Sequence, residues 1–140
     1  MLCRAPADCY LLTVDMPATS HPTVLIADDI EAIRVLVRTT LAPDFSIVGE
    51  AGDGEQAAKL AGELRPDVVL LDLNMPGHDG MEAIEQIRAA APDTTIVILS
   101  GMEADLVAER TRDLGADHYL DKAAPLVELR ESLSSILALR

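Results

Sequence analysis

Apolar residues follow two rhythms along this chain. Short unbroken runs occur at Val24-Leu25-Ile26-Ala27, Val68-Val69-Leu70-Leu71 and Ile96-Val97-Ile98-Leu99. Between them, apolar positions recur every three or four residues. The unbroken runs read as strands buried on both faces, the kind a parallel sheet contains. The periodic stretches read as helices with one buried stripe. The first stripe is Ile30, Ile33, Val37 and Leu41, closed by Pro43. The second is Ala57, Leu60, Ala61 and Leu64, stopped by Pro66. A third helix covers Met81 to about Ala90, with Ile84 and Ile87 facing inward beside Met81 or Ala83. A fourth runs from about Ala104 to Leu114; it shows Leu106, Val107 and Arg110 and is polar enough to be exposed over much of its surface. Gly115 fits its C-cap. The last helix carries Leu126, Leu129, Leu133, Ile136 and Leu137. Ser46–Ala51 forms a weaker strand before the turn Gly52-Asp53-Gly54, and His118-Tyr119-Leu120 a short one.

Five strands therefore alternate with five helices through short connections. Strands separated by helices cannot pair as hairpins. They need right-handed crossovers and a sheet covered on both faces. The expectation is an α/β fold, an open doubly wound five-stranded parallel sheet with five helices. A solenoid is disfavoured, because the strand ends differ too much in chemistry to be repeats. The domain spans residues 23–140. Residues 1–22, with Pro6, Pro17, Ser20 and Pro22, read as a flexible leader, in which Leu11-Leu12-Thr13-Val14 could add a short strand.

The strand ends carry the chemistry. The first strand ends on Asp28-Asp29, the central one on Asp72, the fourth on Ser100, and the fifth on Asp121-Lys122. Open parallel sheets place their sites at the carboxyl ends of the strands. If the first and central strands are neighbours, three carboxylates crowd one crevice. Like charges that close disfavour ionisation unless a cation joins them. A hard divalent ion is the simple remedy. Mg2+ needs one or two carboxylates plus waters, and the backbone carbonyl of Asn74 could add an oxygen. His21, His78 and His118 are isolated, and no zinc-like spacing of thiolates or imidazoles exists.

Composition narrows the partners. The formal charge is −13, from 24 acidic against 11 basic residues, and aromatics make up 2%. A nucleic-acid backbone is disfavoured as a direct partner, as is a base-stacking surface. Metal cations or a protein with basic edges are favoured. Cys3 and Cys9 sit in the leader and make no disulfide framework, which points to a reducing compartment. No apolar run approaches a membrane span, so a cytoplasmic protein without a membrane partner is expected. Gly52, Gly54 and Gly62 match neither glycine-rich phosphate-binding spacing.

The chemistry that fits is phosphoryl transfer onto a carboxylate. Asp72 would attack as nucleophile. Mg2+ held by Asp29, by Asp28 through water and by Asp72 would offset charge, while Lys122 and Ser100 would take the remaining phosphoryl oxygens. No residue in the Asp72 loop is an evident acid or base to speed hydrolysis of the acyl phosphate. Slow turnover follows, suited to a signal rather than to bulk catalysis. The protein would catalyse its own phosphorylation and slow dephosphorylation, yet act mainly as a switch.

Residues 23 to about 139 resemble the receiver domain of two-component response regulators. The matching pieces are Val24-Leu25-Ile26-Ala27-Asp28-Asp29, Asp72-Leu73-Asn74-Met75-Pro76-Gly77 with Asp79-Gly80, Leu99-Ser100, and Gly115 through Lys122. The resemblance implies a flavodoxin-like strand order 2-1-3-4-5, with Asp72 as phosphoacceptor and Asp28 and Asp29 as the acidic pair. It implies that Asn74 lends a main-chain carbonyl to the metal, and that Ser100 and Lys122 are the conserved hydroxyl and lysine. It makes Tyr119 the aromatic that swings inward when Ser100 is drawn to the phosphoryl group, a local charge biasing a two-state element. The implied partner is a sensor histidine kinase or a phosphotransfer protein.

The sequence departs from the family pattern in one place. Many receivers follow the lysine with proline in a cis bond; here Ala123 follows, for which a cis bond is costly and a trans bond expected. Lys122-Ala123-Ala124 resembles receivers that usually carry a C-terminal helix-turn-helix output domain, which links the chain to transcription regulation. Leu126, Val127, Leu129 and Leu133 exceed one inward stripe, which suits a homodimer through the last helices or a contact with another domain. Two alternatives compete. One is an interaction module that works without phosphorylation. The other is a phosphatase of the haloacid dehalogenase type, which needs an acid/base two residues after the nucleophile, where this chain has Asn74.

Overall fold

A computed structural model describes residues 21–73, 80–100, 104–122 and 126–138. The leader 1–20, Asn74–Asp79 and Ala123 therefore lie outside the described residues. The strands are β1 (Thr23–Ala27), β2 (Ser46–Ala51), β3 (Val68–Leu71), β4 (Thr95–Ser100) and β5 (His118–Asp121). The helices are α1 (Glu31–Leu41), α2 (Gly54–Leu64), α3 (Gly80–Ala90), α4 (Ala104–Leu114) and α5 (Leu126–Ala138). All strand pairs are parallel, in the order β2-β1-β3-β4-β5. This is the expected doubly wound sheet.

Side chains of successive strand residues point to opposite faces, and the core divides accordingly. Val24, Ile26, Val68, Leu70, Val97 and Leu99 pack with Val37 and Leu41 of α1 and Leu129, Leu133 and Ile136 of α5. Leu25, Ala27, Val69, Leu71, Ile96 and Ile98 pack with Ala57 and Ala61 of α2 and Ala83, Ile84 and Ile87 of α3. The three central strands are buried on both sides, which is why their sequences show no alternation.

Polar pins at the amino ends of the strands fix their register. Thr23 Oγ1 accepts the Asp67 N–H at 2.9 Å, and Asp67 Oδ2 accepts the Thr23 N–H at 2.8 Å, tying β1 to β3. Asp117 Oδ2 accepts the Ile96 N–H at 2.8 Å and also an Arg88 N–H, tying β5 to β4 and α3. Arg88 donates further to the carbonyls of Pro92, Thr94 and Gly115. Gly115 has φ of +118° and closes α4 as a Schellman turn. Its N–H donates to the Arg112 carbonyl, and the Ala116 N–H to the Thr111 carbonyl.

Two side chains depart from the sequence expectation. Ile30 was expected on the inward stripe of the first helix. It precedes α1 as the N-cap residue in extended conformation and is 51% exposed. Leu64 was expected in the buried stripe of the second helix and is 41% exposed. It is the last residue of α2, and its tip covers Gly49, where a Cβ would stand 2.9 Å from Leu64 Cδ1. Val127 faces outward at 51% exposure, as the excess of apolar residues on the last helix suggested.

Candidate functional site

The site follows from strand parity. On β1, Val24 and Ile26 face α1 and α5; continuing by two gives Asp28. On β3, Val68 and Leu70 give Asp72; on β5, Leu120 gives Lys122. These three side chains leave the same face of the sheet just past its carboxyl edge. The Asp72 N–H donates to the Ala27 carbonyl at 2.9 Å, which holds Asp28 and Asp72 side by side. The two apolar runs thus place two nearly buried carboxylates, 3% and 2% exposed, next to each other.

Lys122 answers them. Its ammonium donates to Asp28 Oδ2 at 2.9 Å and lies 3.1 Å from Asp72 Oδ2. Burial of the ammonium pulls its pKa down, but the hydrogen bonds to Asp28 and Asp72 and their charges outweigh it and hold the pKa above the ordinary lysine value. Asp28 also accepts the Ile30 N–H through Oδ1 at 2.9 Å. Both of its oxygens are therefore engaged within the protein.

Asp29 has the opposite parity and opens toward solvent. Oxygens of Asp28, Asp29 and Asp72 lie within 4.8 Å of one another. Such a set of hard carboxylate oxygens, without thiolate or imidazole, fits a hard divalent cation rather than zinc. Asp29 and Asp72 would hold such an ion directly. Asp28, already bonded through both oxygens, fits contact through water.

Ser100 is fully buried at the end of β4, and its carbonyl accepts the Lys122 N–H at 3.0 Å. In register Ile98 pairs with Tyr119 and Ser100 with Asp121, so the Ser100 and Tyr119 side chains share the α2–α3 face. Tyr119 is half-buried and lines a cavity of about 330 Å³ with Thr111, Ala116 and His118. His21 and His118 are exposed. Asn74, the expected carbonyl donor, lies outside the described residues.

The fold recurs in known proteins. Residues 24–134 match the family described as response regulator receiver domain. The chain belongs to that family. Over 120 residues it is 40% identical to the nitrate/nitrite response regulator protein NarL of Escherichia coli, covering 83% of this chain and 55% of NarL. It is 37% identical over 117 residues to the response regulator GacA of Pseudomonas aeruginosa, covering 82% and 55% of the two chains. The receiver thus spans about half the length of these curated relatives. A crystal structure of a LuxR-family two-component response regulator from an Aurantimonas species superposes with a TM-score of 0.80. It is 31% identical and covers 86% of this chain and 88% of that one. Among the described residues, no helix of the receiver is long and apolar enough to cross a membrane.

Arg34 and Glu50, adjacent to the acidic pocket, carry no motif signal. Arg34 Nη1 donates to the Asp28 carbonyl at 2.6 Å and its Nε to Glu50 Oε1 at 3.2 Å. Their partners lie on other elements, so sequence periodicity has no way to single them out.

Proposed function

We propose that this receiver accepts a phosphoryl group on Asp72 and thereby switches a protein–protein interface. An Asp72 carboxylate oxygen forms a bond to phosphorus while the donor's bond to phosphorus breaks. With a phosphohistidine donor the imidazole leaves and takes up a proton; with acetyl phosphate, acetate leaves. Asp29, Asp72, the Asn74 carbonyl and, through water, Asp28 would hold Mg2+, which when bound would supply positive charge to the phosphoryl oxygens. Lys122 gives its ammonium to one phosphoryl oxygen, and the Ser100 hydroxyl donates to another. Moving Ser100 frees space on the α2–α3 face, into which Tyr119 turns, and β5 with its neighbours carries the change outward. Hydrolysis of the acyl phosphate is slow in this reading, so the mark persists.

The observation that carries this reading is the Lys122 ammonium seated between Asp28 and Asp72, beside an open Asp29. It is a site prepared for an oxyanion and a cation together. The partner is a sensor histidine kinase or a phosphotransfer protein. A homodimer through the last helices, where Val127 is half exposed, would be one readout. By analogy with these longer response regulators, this receiver controls transcription through an attached output region, without contacting nucleic acid itself.

Intact-protein mass after incubation with acetyl phosphate tests the proposal. The expected result is one added phosphoryl group, absent without Mg2+ and absent in Asp72→Asn. No adduct in any condition, together with no Mg2+ binding, would leave a receiver fold that works as a docking module without phosphorylation.

A further inference from the structure

The acidic pocket has a third wall that the phosphoryl chemistry does not explain. Beyond Ala27, β1 ends, and the Asp28 carbonyl takes its hydrogen bond from a side chain rather than from a neighbouring strand. Arg34, one turn into α1 and with only 18% of its side chain exposed, fills that place. Its Nη1 donates to the Asp28 carbonyl at 2.6 Å. The Asp28 N–H is held in turn by the Ala51 carbonyl at 3.0 Å. The peptide joining Asp28 to Asp29 is therefore held through its carbonyl, and the peptide before it through the Asp28 N–H. Its orientation sets where the Asp29 side chain departs. Glu50 on β2 completes the clamp: Oε1 accepts Arg34 Nε at 3.2 Å and Oε2 accepts from Arg38. Without Glu50 the guanidinium would be free to turn from the Asp28 carbonyl toward the acids and compete with a cation.

We propose that Arg34 is a positioning residue for the acidic pocket, fixing the Asp28–Asp29 peptide through its carbonyl, and that Glu50 restrains Arg34 from entering the pocket. The proposal rests on the Mg2+ reading above and adds the residues that make the site selective for an external cation. The fork geometry matters, because one planar guanidinium donates at once to a backbone carbonyl and a carboxylate on different strands, whereas a lysine ammonium is a single point of charge. Partners that orient metal-binding groups typically change affinity by about 10- to 100-fold when lost.

The test is a set of Mg2+ titrations on the full chain, followed by calorimetry, with Arg34→Met, Arg34→Lys, Glu50→Ala and Arg34→Met/Glu50→Ala. Arg88→Met serves as control, since it loosens the opposite end of the sheet. Arg34→Met is expected to weaken Mg2+ about tenfold, with Arg34→Lys within about threefold of it. Glu50→Ala weakens Mg2+ when Arg34 is present and adds nothing once Arg34 is gone. Amide exchange in the metal-free protein gives a second readout. The Ile30 N–H, bonded to Asp28 Oδ1, exchanges faster in Arg34→Met and at the wild-type rate in Arg88→Met. Wild-type Mg2+ affinity in Arg34→Met, or full recovery by Arg34→Lys, overturns the proposal. If wild-type protein itself binds no Mg2+, the metal reading fails instead, and the exchange data alone decide whether Arg34 holds the peptide.

Discussion

Replacing Lys122 by Met removes the cation from between two buried carboxylates while keeping most of the side chain's length. The ammonium lies 2.9 Å from Asp28 and 3.1 Å from Asp72, both almost fully buried, while about a quarter of the Lys122 side chain remains exposed. Removing one partner of a fully buried ion pair typically costs about 3–5 kcal/mol. The open flank at Asp29 lets water reach the orphaned carboxylates, so the expected loss is smaller, about 2 kcal/mol. For a domain of this size each kcal/mol moves Tm by roughly 3–5 °C, so metal-free Lys122→Met should melt about 6–10 °C below wild type. Mg2+ at about 100 times its Kd adds about 2.7 kcal/mol to any variant that binds it. That is enough to offset the loss. The assay is a thermal melt by circular dichroism in EDTA and in Mg2+. An equal or higher Tm for Lys122→Met in EDTA would refute the reasoning, since it would mean that the ammonium contributes nothing to holding the acids together.

The same pair has a pH signature. The folded pKa of Lys122 is raised, so its contribution to stability is fully present below the ordinary lysine value of 10.5 and is lost as pH rises through the higher folded value. Metal-free wild type should therefore lose stability in that alkaline window relative to Lys122→Met, and parallel curves there would contradict the shift. Asp53 Oδ1 caps α2 by accepting the Gln56 N–H at 2.7 Å, so Asp53→Ala should cost about 1 kcal/mol in urea unfolding, with phosphorylation unchanged. Gly115→Ala forces a side chain to φ of +118° and places a Cβ 3.4 Å from Arg88 Cγ. A loss of about 1–3 kcal/mol is expected, and a neutral result would show that the α4–β5 junction relaxes freely.

The sheet was readable because its three middle strands are buried on both faces, leaving Val68–Leu71 and Ile96–Leu99 without a polar residue. The helix stripes were readable where a residue sat mid-helix, as Val37, Ala61, Ile87 and Leu133 do. They failed at two helix ends. Ile30 and Leu64 keep the apolar spacing, yet the chain turns away from the sheet at the first and α2 finishes at the second. The geometry of the site was legible at Asp28, Asp72 and Lys122, because strand parity sends all three to one face. What was hidden is the clamping. Arg34 with Glu50, Arg88 with Asp117, and Thr23 with Asp67 are polar pairs 16, 29 and 44 residues apart. Nothing in local periodicity distinguishes such residues from solvated surface charge.

The pins at the amino ends of the strands have a consequence for how this gene can change. Thr23 stands five residues before Asp28, Asp67 five before Asp72, and Asp117 five before Lys122. Between each pin and its functional group the chain is one uninterrupted strand. A single inserted or deleted codon there would leave the pin and the hydrophobic content intact, yet send the carboxylate or ammonium to the opposite face. The three stretches thus behave as short frames with a fixed phase. They tolerate substitution of one apolar residue by another but no change of length. A library that inserts one residue at every position should recover folded protein far more widely than protein that acetyl phosphate and Mg2+ phosphorylate, with phosphorylation silenced in these three windows.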